Sequence, residues 1–221
     1  MKKSLLIILS AIALTFASCR KEPVRVACVG DSITFGHGVM LTRSRDAWPR
    51  ILERKLAGRY EVLNYGISGA TLLKEGNQPY RSDFWETAKS MQGEIYILML
   101  GTNDSKPGNW NAGEYNRQLA ERIRELKAIP SVKTICLMAP PPAFKKKESD
   151  PYAAFDIDPV VIRDEIRGII RAAAGKNGVE FVDLYAVLDG HSEYMPDGVH
   201  PNAQGDEVIA ETLYQMIGSI S

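Results

Sequence analysis

The sequence predicts an α/β domain, a three-layer αβα sandwich around a five-stranded parallel sheet. Three observations predict it. Apolar runs of strand length alternate with segments that repeat apolar residues at the helical period. Several runs are apolar throughout, as in Ile95-Tyr96-Ile97-Leu98-Met99-Leu100, which suits strands covered on both faces. The composition is globular: 221 residues, 45% hydrophobic and 24% charged, with 27 Lys+Arg against 27 Asp+Glu. That length suits one domain with an ample core. Zero net charge argues against a nucleic-acid partner, which a basic face would mark. Three cysteines cannot build a disulfide scaffold.

The amino terminus stands apart from this pattern. Met1-Lys2-Lys3 is positive, and Leu5 to Phe16 is an apolar run of 12 residues, short of the about 20 that a membrane-spanning helix needs. Phe16-Ala17-Ser18-Cys19 then resembles a bacterial lipobox, with Phe16 where Leu is usual. Residues 1–18 are therefore expected to be a signal peptide, 19–23 a lipid-anchored linker with the lipid on Cys19, and 24–221 the folded domain. An ordinary cleaved signal or a buried core helix are the alternatives. Without Lys2 and Lys3 the mature chain from Cys19 carries 25 positive and 27 negative residues. The expected location is outside the cytoplasm, tethered to a membrane in the periplasm or at the cell surface.

Five strands follow in order: Val24–Val29, Tyr60–Tyr65, Glu94–Leu100, Val132–Ala139 and Val179–Leu184. Cys28 and Cys136 lie inside two of them and read as buried free thiols. Between the first two strands, Trp48, Ile51, Leu52 and Leu56 share a helical face, with Asp46 as expected cap. Tyr115, Leu119, Ile123 and Leu126 mark a second helix. Ile162, Ile166, Ile169, Ile170 and Ala173 mark a third behind Asp158-Pro159, a cap and first-turn pair. A last helix spans about 203–217, with Val208, Ile209, Leu213 and Ile217 inward and Asn202 as cap. Two stretches, Ile67–Phe84 and Pro140–Pro159, read as irregular. Both leave the carboxyl ends of strands, where open α/β sheets place ligand sites.

Four short motifs sit at those same strand ends. Gly30-Asp31-Ser32-Ile33-Thr34 follows the first strand and exposes a serine hydroxyl at a strand-to-helix turn, although Asp31 and Ser32 are equally suited to simple capping. Asn64-Tyr65-Gly66-Ile67-Ser68-Gly69-Ala70-Thr71 follows the second. Its Gly69 N–H can face a developing oxyanion, and a plain turn explains the glycines as well. Gly101-Thr102-Asn103-Asp104 follows the third and offers an amide donor that does not titrate, or an Asx turn. Asp197-Gly198-Val199-His200-Pro201-Asn202 precedes the last helix. Its spacing can set a carboxylate on the imidazole Nδ1 and leave Nε2 for Ser32. Asp31 and Asp104 are expected to order their turns, and His37 and His191 to stay outside the chemistry.

Together these motifs, in this order, resemble the SGNH hydrolases, also called the GDSL esterase/lipase family, with Ile33 where the family name has Leu. The resemblance implies the flavodoxin-like SGNH hydrolase fold and a serine esterase without metal or organic cofactor. It implies Ser32 as nucleophile, His200 as general base oriented by Asp197, and an oxyanion hole from the Ser32 N–H, the Gly69 N–H and Asn103. Within the family, Arg45-Asp46-Ala47-Trp48-Pro49, Gly69-Ala70-Thr71-Leu72-Leu73, Gln78-Pro79-Tyr80 and the extension through Asn109-Trp110 are similar to bacterial carbohydrate O-acetylesterases of the sialate O-acetylesterase-like type.

The expected substrate is thus an O-acetylated glycan, of sialic acid or plant type. Tyr80, Trp110 and Tyr152 are candidates to stack on a sugar at the rim of the site, with packing between loops as the alternative. Lys145-Lys146-Lys147 would attract an anionic sugar, or is a solvated charge run. A lysophospholipase or short-chain lipase on the same residues is a second reading, against which the polar loop Asn103–Gly113 argues. A glycan-binding lipoprotein without turnover is a third.

Overall fold

The computed structural model describes residues 22–220, so the expected signal peptide and the Cys19 lipid site lie outside the described residues. Five parallel strands form one sheet: β1 (Val24–Gly30), β2 (Tyr60–Gly66), β3 (Ile95–Met99), β4 (Thr134–Ala139) and β5 (Glu180–Asp183), in the spatial order β2-β1-β3-β4-β5. This is the flavodoxin-like arrangement, whose strand order reverses between β1 and β3. Register is fixed by inward pairs such as Cys28 opposite Ile97 and Ile97 opposite Cys136.

Alternate residues of each strand point to opposite faces, and each face carries its own core. On one face Ala27, Val29, Tyr96 and Leu98 pack with Trp85, Leu119, Ile123, Ile166 and Ile170. The helices supplying these are α3 (Ser82–Ser90), α4 (Ala112–Lys127) and α5 (Arg167–Asn177), with Ile166 from the turn Ile162–Ile166 that runs into α5. On the other, Val26, Cys28, Ile97, Met99 and Cys136 meet Trp48, Leu52, Leu184, Ile209 and Leu213. Those residues come from α2 (Trp48–Lys55), α6 (Leu184–Leu188) and α7 (Ala203–Ile220); the short α1 (Ser32–Phe35) follows β1 directly. The three-layer sandwich is as predicted. Cys28 and Cys136 are buried free thiols, separated by β3.

Local sequence explains the element ends. Asp158 Oδ1 accepts from the Val160 and Val161 amides at 2.9 and 3.2 Å, starting the run through Ile162–Ile166 into α5. Asn202 Oδ1 does the same for Gln204 and Gly205 at the start of α7; such caps contribute about 1 kcal/mol each.

Three expectations change. Asp46 does not cap α2. It closes the short turn Arg43–Asp46 and pairs with Arg45 at 2.8 Å, while the extended Ala47 takes the cap position. That places the Asp46 carboxylate one residue too early for the helix amides. Helix α3 begins at the end of the stretch read as irregular and runs past it to Ser90; its only buried residues, Trp85 and Ala88, are too few to mark a helical period in the sequence. On α7, Val208 is only partly buried, and Asp206 is the residue sealed beneath the helix.

Candidate active site

All four motifs meet at the carboxyl edge of the sheet. Ser32 opens α1 immediately after β1. Asp31, fully buried, accepts from the Ile33 amide at 2.9 Å and holds that turn. The turn 197–200 brings its histidine across from the far side of the molecule. His200 Nδ1–H donates to Asp197 Oδ2 at 2.6 Å, and the Ser32 hydroxyl donates to His200 Nε2 at 2.9 Å. The carboxylate on Nδ1 fixes this tautomer. Asp197 Oδ1 is held in turn by the Val199 and His200 amides at 2.9 and 2.7 Å.

The electrostatics follow from burial. Burial pushes the His200 pKa below the ordinary 6.5; hydrogen bonding and attraction from Asp197 pull it back up, and His37 adds to the lowering. The balance is a lowered value, so the imidazole is a neutral base at pH 7. Burial pushes Asp197 up, but the His200 amide, the His200 ring and the Val199 amide outweigh it and hold the carboxylate below 3.8.

The loop after β2 carries Gly69 with φ +80°. A side chain there would be strained, and its Cβ would lie 2.3 Å from Gln78 Oε1. Asn103 sits in a short turn after β3 and donates from Nδ2 to the Ala70 carbonyl at 3.2 Å, leaving its second amide proton for the cavity. The turns are cross-tied. Asp104 accepts from the Leu72 and Leu73 amides at 3.0 and 2.8 Å, and Asn109 Nδ2 donates to the Asn103 carbonyl at 2.8 Å. Asp31 and Asp104 thus order turns, as expected. Among the described residues no protein acceptor takes the Ser32 or Gly69 N–H. Both N–H groups are thus open to a further acceptor, and Ser32, Gly69 and Asn103 line the same cavity.

These residues line a cavity of about 150 Å³ together with His37, Lys106 and Phe155. Among the described residues, no group of three or more His, Cys, Asp or Glu is placed to hold a metal ion.

Sequence reasoning missed His37 and Phe155. The His37 ring lies 4.5 Å from that of His200, and Phe155 meets the same imidazole edge-on at 5.2 Å. His37 reaches it because Gly38 lets the Pro201 carbonyl approach to where a Cβ would be 2.0 Å away. The Gly-His-Gly spacing just after the serine turn was the available signal. Phe155 is 54% exposed and left-handed at φ 62°, a conformation a bulky residue rarely holds. His191 stays remote, paired with Glu193 at 2.9 Å.

Two of the three stacking candidates are corrected. Tyr80 is buried, and its hydroxyl donates to the Tyr65 carbonyl at 2.6 Å, so it offers no face to a sugar. Trp110 packs on Tyr115 at 5.3 Å and donates to Glu165 at 3.0 Å; it is absent from the cavity lining. Both are fixed by the core, where an aromatic body and a satisfied polar tip suit burial. Tyr152 lies instead in a larger cavity adjoining Asp197.

Comparison with known proteins places this architecture. Residues 28–208 match the model of the GDSL-like lipase/acylhydrolase family. The chain belongs to that family. A relative within reach by sequence is an acetylxylan esterase from Xylanibacter ruminicola, 33% identical over 88% of this chain; the chain spans 43% of the length of that relative. Among solved structures, an arylesterase from Agrobacterium tumefaciens superimposes with a TM-score of 0.76 at 24% identity, covering 90% of this chain and 100% of the other. A carbohydrate acetylesterase from Sinorhizobium meliloti gives 0.73 at 20% identity, again over 90% and 100%. These structures share the fold of the family, a five-stranded parallel sheet between helices.

Proposed function

We propose that this chain is a serine esterase that removes O-acetyl groups from carbohydrates. The observation that carries the reading is the relay Asp197–His200–Ser32, at 2.6 and 2.9 Å, opening into a cavity of about 150 Å³. Ser32 Oγ attacks the acetyl carbonyl as His200 Nε2 takes its proton. The oxyanion that forms is held by the Ser32 N–H, the Gly69 N–H and Asn103 Nδ2, each such donor typically worth about 3 kcal/mol in the transition state. His200 returns the proton to the sugar oxygen as the carbon–oxygen bond breaks. Water then repeats the sequence on the acetyl-serine and releases acetate.

A cavity of this size suits a short acyl group and argues against the lysophospholipase or lipase reading. A neutral His200 between an intact carboxylate and serine argues against a lipoprotein that only binds glycans. The acetylxylan esterase relative favours a plant glycan over acetylated sialic acid. The proposal extends to residues 1–18 as an export signal and to Cys19 as the lipid-bearing residue of an exported, membrane-anchored protein. Replacing it, Cys19→Ala, is expected to abolish fatty-acid labelling and release the protein from membranes; labelling that persists refutes the anchor.

The deciding experiment is hydrolysis of p-nitrophenyl esters from acetyl to octanoyl, alongside acetylated xylo-oligosaccharides, by the protein and by Ser32→Ala. A sharp acetyl preference, acetate release from the oligosaccharide, and loss of both in the variant are expected. Rates rising with chain length would establish the lipase reading instead.

A further inference from the structure

Behind Asp197 lies a second cavity, of about 560 Å³, lined among others by Phe144, Lys145, Lys146, Tyr152, Ser192 and Asp197. It shares no lining residue with the catalytic cavity, but chain neighbours line the two. Asp197 lines one and its partner His200 the other, while Ala153 and Ala154 line the larger and the next residue, Phe155, the smaller. Phe155 and Asp156 are both left-handed, at φ 62° and 60°, and form a ridge in the 153–157 turn, which leads from the lining of the larger cavity to that of the smaller. Consecutive strained residues persist only where the surrounding structure holds them, and they concentrate at ligand sites. The ridge is tied at its base by the Ala153 amide, which donates to the Ile157 carbonyl at 2.9 Å.

The chemistry of the larger cavity is specific. Among the described residues neither Lys145 nor Lys146 has an ion-pair partner, nor does Lys106 in the catalytic cavity. Two carboxylates lie on the same wall and keep their charge, but their oxygens face inward donors: Asp197 Oδ2 accepts from the His200 ring and Asp150 Oδ2 from the Lys147 amide at 3.0 Å, which leaves the lysines as the groups for an acid. Tyr152 is half-buried, and its ring stacks on no other aromatic among the described residues. Lys145 Nζ donates only to the Glu148 carbonyl, at 3.4 Å; an aromatic face beside ammonium groups that lack a carboxylate partner suits a sugar ring that carries one.

We propose that this cavity is a subsite for a carboxylate-bearing sugar of the same glycan whose acetyl group enters the catalytic cavity. Tyr152 carries the ring, and Lys145 and Lys146 meet the acid. The inference rests on the carbohydrate esterase reading and narrows its substrates to acidic glycans. A glucuronate branch and a terminal sialic acid both supply the group, so both belong in the test.

The test is calorimetric titration with unacetylated probes, so turnover plays no part. A xylo-oligosaccharide with one glucuronic acid branch is compared with its unbranched counterpart, and sialyllactose with lactose. At least one acidic probe is expected to bind about ten-fold or more tightly than its neutral partner, with a margin that shrinks as salt rises. The double variant Lys145→Gln/Lys146→Gln should erase the margin while its kcat/KM on p-nitrophenyl acetate stays within about two-fold of the unaltered protein, which shows that it folds. Tyr152→Ala should weaken acidic and neutral members of the preferred pair alike. Equal affinity for both members of each pair, no binding by any probe, or a margin surviving the double variant overturns the subsite. Failure of the parent reading shows differently, as hydrolysis of p-nitrophenyl acetate without acetate release from any acetylated glycan.

Discussion

His200 sits between influences of opposite sign. Asp197 raises its basicity, while burial and His37 lower it, and lowering wins. The protonated imidazole cannot take the Ser32 proton, so kcat/KM should fall as pH drops through the His200 pKa. That acid limb is expected to have its midpoint below pH 6.5, read from kcat/KM for p-nitrophenyl acetate between pH 4 and 8. A midpoint above 6.5 would contradict the burial argument. In Asp197→Asn the upward pull is gone, so the limb should move further toward acid and the rate fall about 10- to 100-fold. Ser32→Ala and His200→Ala should lose about 1,000-fold or more. The Asp197 effect is the smaller one because its side chain is 40% exposed and water replaces part of its field. The relay was legible in the sequence because each member lies in a contiguous motif whose neighbours also form its turn, as Asp197 does for His200. His37 and Phe155 were not, since their approach to the imidazole depends on Gly38 packing against Pro201 and on a left-handed ridge. Neither leaves a periodic trace.

Strands and helices were legible because each sheet face demands its own apolar set. The loops at the carboxyl edge obey other rules. The loop with Gly69, which follows β2, is shaped from the end of β3, two strands across the sheet, where the buried Asp104 takes the Leu72 and Leu73 amides. In Asp104→Ala those two N–H groups lose their acceptor, at about 1–3 kcal/mol each. The Gly69 amide, three residues before the first of them in the turn around Ala70, loses its fixed aim. The variant should melt lower by urea titration, and its kcat on p-nitrophenyl acetate should fall about ten-fold or more with KM nearly unchanged, as suits a donor that acts in the transition state. Loss of stability with kcat intact would mean that the Gly69 loop is positioned by other contacts. The misplacement of Tyr80 and Trp110 belongs to this scale as well. A sequence shows an aromatic in a loop but not the Tyr65 carbonyl or the Glu165 carboxylate that turns its polar tip inward.

At the scale of the whole molecule, three carboxyls sealed inside the sandwich set how stability depends on pH. Burial raises Asp31 to about 7, against the Ile33 amide and Thr102, which lower it. It raises Asp104 to about 6 despite the two amides that lower it, and Asp206, between α7 and α2, to about 8 against the Trp48 amide. Asp206 has the strongest case, because neither of its carboxyl oxygens makes a well-formed hydrogen bond, the Trp48 amide offering only a weak approach. All three are raised above the ordinary 3.8. Their contribution is therefore complete below the unfolded value and is lost as pH rises through about 6 to 8. Between those limits the native chain holds protons that the unfolded chain releases. Lowered carboxylates such as Asp46 and Asp197 work in the opposite sense, but only in strong acid. His200, lowered from 6.5, opposes the trend below that pH. The expected outcome is a higher Tm at pH 5.5 than at pH 8. Asp206→Asn, which cannot ionise, should flatten that slope and gain on the unaltered protein as pH rises, by roughly 3–5 kcal/mol between pH 4 and 8. The comparison of slopes stands whatever constant penalty the new amide brings at one pH. Parallel Tm profiles for the two proteins would show that Asp206 is hydrated or paired in solution and that the interface between α2 and α7 is looser than its packing suggests.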